Sequence, residues 1–173
     1  MAKIIKLSVF ILLVLLFVFF GCKEKVFTPE VSPVGALVNY QGCKEFFGGA
    51  TIQGAGLDST KECLQYEYDR DGVLRLNHLN AGFNCCPGEI FADITVTGNM
   101  IIIEEQEKEA GCFCQCLFDV DYKFLNMLPG KYTIIVKGPY TSDESMVMEF
   151  TVDLYPSSSG MQCVNRAQYP WGS

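Results

Sequence analysis

Histidine is nearly absent: His78 is the only one in 173 residues. That excludes a metal site built on two imidazoles of one chain, and any serine triad would have to be assembled on His78 itself. Charge is also scarce, at 19% of residues, and leans acidic, with 13 Lys and Arg against 20 Asp and Glu. A formal charge of −7 repels phosphate backbones, so nucleic acid is not an expected partner. No stretch offers ten residues of helical period with caps. Gly48-Gly49 and Gly54-Ala55-Gly56 lack the strand, helix and Lys of a phosphate loop, and Ser157-Ser158-Ser159-Gly160 is no nucleophile elbow. The expectation is a non-catalytic protein with no cofactor.

What is abundant is cysteine and glycine, nine and sixteen respectively. The N-terminus holds Lys3 and Lys6, then an apolar run from Ser8 to Phe20 without charge, Gly or Pro, then Gly21 and Cys22. The run is too short for the roughly 20 apolar residues that cross a bilayer and fits a signal peptide instead. Phe19-Phe20-Gly21-Cys22 resembles the lipobox of bacterial lipoproteins, although Phe19 and Phe20 stand where that pattern has a Leu and a small residue. The resemblance implies a leader over 1–21, lipid attachment at Cys22 and membrane association through that anchor. Residues 22–34, with Pro29 and Pro33, read as a tether, and 35–173 as one domain. Losing the leader removes two lysines and moves the formal charge to about −9. Export implies an oxidising compartment, and eight cysteines remain, an even number suited to disulfides.

From Cys63 onward the hydrophobic period is two. Leu64, Tyr66 and Tyr68 alternate with polar residues, Asp69-Arg70-Asp71-Gly72 supplies a turn, and Leu74, Leu76 and His78 alternate again. Further strands are expected at Ala36 to Tyr40, Ile90 to Val96, Met100 to Glu104, Cys112 to Phe124, Lys131 to Lys137 and Met146 to Leu154, with Glu104 to Glu109 as a solvated hairpin end. The fold class is therefore all-β, an antiparallel β-sandwich, with a small barrel as the alternative. Leu125 to Val136, with its Leu-Pro-Gly-Lys-Tyr-Thr-Ile-Ile-Val, resembles the late strand pair of immunoglobulin-like and fibronectin-type bacterial modules. That resemblance implies a tyrosine after the Pro-Gly turn whose hydroxyl bonds back to the backbone.

Five cysteines fall between residues 85 and 116: Cys85-Cys86, then Cys112, Cys114 and Cys116 after one hairpin. Residues two apart on a strand are about 6.6 Å apart at Cα, at the limit of disulfide geometry, so the triplet should pair elsewhere. In one reading Cys85 and Cys86 bond two of the triplet, and the third joins Cys43, Cys63 and Cys163 in two more bridges. In the other, Cys85, Cys86, Cys112, Cys114, Cys116 and His78 hold zinc or copper as thiolate and imidazole ligands. His78 has core parity and otherwise reads as a hydrogen-bonded core histidine. Asp119 and Asp121 share an outer strand face without a third oxygen ligand at loop spacing.

The whole pattern resembles bacterial lipoproteins with a cysteine-rich immunoglobulin-like domain, a resemblance that implies location and no activity. The expected function is a lipid-anchored binding or structural module of the cell envelope, facing periplasm or exterior, with a protein or glycan partner. The alternative is a thiolate metal-binding or redox protein of the same compartment.

Overall fold

A computed structural model describes residues 31–44, 46–47, 50–51, 57–108, 111–141 and 147–167. The chain divides into two units, Met1–Glu30 and Val31–Ser173, and the described residues all belong to the second. The expected leader, Cys22 and most of the tether lie outside the described residues.

The strands in chain order are β1 (Val34–Gln41), β2 (Phe46–Phe47), β3 (Ala50–Thr51), β4 (Lys61–Tyr68), β5 (Leu74–Asn84), β6 (Glu89–Thr97), β7 (Met100–Lys108), β8 (Gln115–Leu125), β9 (Gly130–Lys137), β10 (Met148–Leu154) and β11 (Ser158–Asn165). A five-stranded sheet in the order β1-β8-β5-β4-β11 packs on a four-stranded sheet in the order β10-β9-β7-β6, and β2 with β3 forms a short ladder. This is a β-sandwich with open sheets, and the barrel alternative falls away. One pair departs from the antiparallel pattern. After β7 the chain crosses to the other sheet as β8 and returns as β9, so β9 lies parallel to β7.

Turn chemistry sets the hairpins. Between β4 and β5, Asp69 Oδ1 accepts from the amides of Asp71 and Val73, both at 2.9 Å, while Gly72 takes φ +75°. The Val73 amide, above all, holds the Asp69 carboxyl below its usual range. Gly98, φ +57°, turns β6 into β7.

The period-two pattern buries Leu76, Val120, Ile134 and Phe118, while Ile94 and Phe150 are half-buried against the same core. Two approaches of backbone to ring demand glycine. A Cβ on Gly35 would sit 2.3 Å from the Phe124 ring, and one on Gly42 would sit 2.0 Å from the Phe118 ring. Asn80, at φ +63°, forms a bulge opposite β8. The extra residue switches which β5 side chains face inward, from Leu74, Leu76 and His78 to Ala81 and Phe83, while β8 keeps its parity.

Several expectations need correction. Over Glu104 to Lys108 the expected solvated hairpin end is instead strand, because β7 runs on to Lys108 and buries Glu105 at 3% exposure, while Glu109 lies outside the described residues. β8 begins at Gln115 rather than Cys112, so of the three cysteines on the expected strand only Cys116 lies on β8, and Cys112 and Cys114 precede it. The Met146 to Leu154 strand is not last, since β11 follows and pairs with β4. The buried tyrosine hydroxyl that bonds to backbone near the Pro-Gly turn is Tyr68's, which donates to the Met127 carbonyl at 2.9 Å.

Candidate functional site

Two side-chain clusters stand out. The first is the cystine-rich end. β5 ends at Asn84, and the chain bends through Cys85 and Cys86, so the two neighbours escape the opposite-face rule of a regular strand. Cys85 is bonded to Cys114, Cys86 to Cys112 and Cys43 to Cys116. Cys63 and Cys163 form the fourth bridge, directly opposite each other on β4 and β11.

Asn84 aligns the segments. Its side-chain amide donates to the Cys112 carbonyl at 2.6 Å, its Oδ1 accepts from the Cys86 amide at 2.9 Å, and its own amide donates to Glu107 Oε2 at 2.7 Å. The Tyr140 hydroxyl donates to the other Glu107 oxygen at 2.6 Å, and burial followed by that carboxylate pushes its pKa up. Between two bridged cysteines, Phe113 projects fully into solvent.

The second cluster is built around His78, which is 1% exposed. Its Nδ1 lies 2.7 Å from Glu105 Oε1 and its Nε2 lies 2.9 Å from Glu62 Oε1. Glu62 is also ion-paired with Arg166, and Glu105 Oε1 accepts from the Tyr122 hydroxyl at 2.7 Å. Burial alone would lower the imidazole pKa, but Glu105 and then Glu62 outweigh it and hold it at about 10. His78 is therefore an imidazolium donating from both nitrogens. Glu105 Oε2 has no hydrogen-bond partner among the described residues. For Tyr122, burial and the adjacent Glu105 both push the phenol far above its usual range.

On the outer face, Lys44 Nζ donates to Asn80 Oδ1 at 2.8 Å and is ion-paired with Asp119. Asn80 in turn donates to the carbonyls of Lys61 and Asp58, which pins the bulge. Asp121 accepts from Asn77 and Asn39. The two aspartates therefore serve cross-strand contacts and are not merely hydrated.

The sequence-derived ligand set is thus divided. Its five cysteines are in disulfides, which leave no thiolate to give in this oxidation state, and His78 spends both nitrogens on carboxylates. No group of three or more His, Cys, Asp or Glu arranged for a metal ion occurs among the described residues. Sequence reasoning missed Glu62, Glu105, Arg166, Asn84 and Phe113. Parity carried a signal for two of them: Glu105 continues Ile101 and Ile103, and Glu62 precedes Leu64 and Tyr66 on the same face.

Comparisons with protein-family models, with curated proteins and with solved structures give no match. Four disulfides mark an oxidising, extracytoplasmic environment. No helix among the described residues is long and apolar enough to cross a membrane.

Proposed function

We propose that the chain is a lipoprotein of the bacterial cell envelope, anchored through acylated Cys22 and facing periplasm or exterior, whose cystine-rich sandwich is a non-catalytic binding or structural module. The observation that carries this reading is the pairing of all eight cysteines beyond Cys22, which leaves that one outside the disulfide framework and available for lipid. The buried His78 supports the non-catalytic half, because an imidazolium enclosed by two carboxylates has no lone pair to act as a base. Mass spectrometry of membrane-fraction protein should find an acylated N-terminal peptide beginning at Cys22, and Cys22→Ala should abolish it. Residues 1–21 intact on the mature protein would overturn the reading.

One observation favours a second reading, a thiolate metal-binding or redox protein. The Cys85–Cys114 and Cys86–Cys112 bridges lie side by side, and reducing both frees four neighbouring thiols suited to zinc or copper(I). Protein purified from its own compartment would then carry metal in fixed ratio to free thiol and release it on acidification. Peptide mapping that finds all eight cysteines bridged removes this reading.

A further inference from the structure

The outer face of the five-stranded sheet carries a groove of about 490 Å³, within the size range of small-ligand sites. Its walls come from three adjacent strands in strict register. Gln65 of β4 lies opposite Asn77 of β5, which lies opposite Asp121 of β8, and one row along Glu67 lies opposite Arg75, which lies opposite Lys123. Val38 of β1, largely exposed, borders the groove on one side.

Two features of this face narrow its ligand. Glu67 and Asp121 cancel Arg75 and Lys123, so the groove is formally neutral on a chain of charge −7. A polyanion or polycation meets no net field there. The wall groups are mostly planar and pre-set: Asp121 is held by Asn77 and Asn39, and Arg75 Nη1 donates to Asp69 at 3.1 Å.

We propose that this groove binds a neutral oligosaccharide. Sugar hydroxyls each donate once and accept from others, which matches a wall that alternates carboxylate and amide acceptors with guanidinium, ammonium and amide donors. Val38 meets the apolar face of a sugar ring. The inference deepens the binding-module reading by naming its site and ligand class, and it rests on that reading.

Calorimetric titration of the full-length protein with neutral tetrasaccharides, namely cellotetraose, maltotetraose, mannotetraose, xylotetraose and chitotetraose, tests it. Saturable binding of at least one is expected, little changed by salt because the ligand is uncharged. Arg75→Ala and Lys123→Ala, both in exposed positions, should each weaken that binding about tenfold. The conservative Asn77→Asp, with thermal unfolding as a check on folding, should weaken it as well. Absence of saturable binding to all five at millimolar concentration overturns the proposal, as does binding indifferent to Arg75→Ala and Lys123→Ala. The two readings fail separately: loss of the groove with Cys22 acylated leaves the envelope module standing, and sugar binding by a chain that keeps residues 1–21 leaves the groove standing.

Discussion

Glu105 Oε1 lies 2.7 Å from His78 Nδ1, and the two residues belong to opposite sheets, Glu105 on β7 and His78 on β5. The contact is a charged tie between the two sheets across a mostly apolar core. Tyr122 of β8 donates to the same oxygen, while Glu62 of β4 and Arg166 beyond β11 complete the chain on the other side of the imidazole. Two carboxylates and two cations cancel, which is the condition under which buried charge is tolerated.

Removing one member should be far worse than removing all. Glu62→Leu removes the ion pair to Arg166 and leaves one imidazolium N–H without its acceptor, and should cost about 3–5 kcal/mol. Replacing Glu62, His78, Glu105 and Arg166 together by apolar residues should recover most of that loss. Urea midpoints of the two variants decide it, and a Glu62→Leu protein as stable as wild type would show that the cluster is weakly coupled.

The same cluster fixes a pH dependence. The folded His78 pKa, about 10, lies above the ordinary value of 6.5. Below 6.5 both folded and unfolded chains are protonated there, and the stabilisation is fully present. Between 6.5 and about 10 only the folded chain holds the proton, so stability falls with rising pH at up to about 1.4 kcal/mol per unit. Other groups titrate near pH 10, so the quantity to measure is the difference between wild type and His78→Gln in urea midpoint from pH 6 to pH 10. That difference should shrink steadily above pH 6.5, and a constant difference would refute a protonated His78.

Period two made the sandwich legible, because every strand with one buried face repeats its pattern locally. It also placed His78 inward. It did not supply His78's partners, since Glu62 lies 16 residues away and Glu105 lies 27 away, and sheet order is a non-local property. The acidic composition of Glu104 to Glu109 masked the parity that Glu105 shares with Ile101 and Ile103. Arg166 follows the last strand with no periodic context. The switch of facing at Asn80 was equally hidden, because a bulge depends on the register of the neighbouring strand.

Two phenylalanines five residues apart should behave oppositely. Phe118 is buried, packing edge-on to Phe83 with ring centroids 5.7 Å apart, and Phe118→Ala should cost about 3–5 kcal/mol. Phe113 is fully exposed between Cys112 and Cys114, and Phe113→Ala should change stability by less than about 0.5 kcal/mol. Chemical unfolding of both variants checks the register of β8 against its preceding bend.

The paired bridges at the cystine-rich end predict a non-additive stability loss. Cys86–Cys112 is nested inside Cys85–Cys114, with sequence separations of 26 and 29. While either bridge stands, the ends of the other are already neighbours in the unfolded chain, so cutting it opens only a ring of a few residues. The loop-entropy relation gives about 2 kcal/mol for such a ring and about 3.5 kcal/mol for the full loop. Removing Cys86–Cys112 alone, or Cys85–Cys114 alone, as serine pairs should therefore cost about 2 kcal/mol. Removing both should cost about 5.5 kcal/mol, exceeding the sum of the single losses by about 1.5 kcal/mol. Guanidinium unfolding of the three variants under non-reducing conditions reads this directly. Strict additivity would mean that the two bridges do not share a loop in the unfolded chain, and so that the 85–86 and 112–114 segments are joined in some other way.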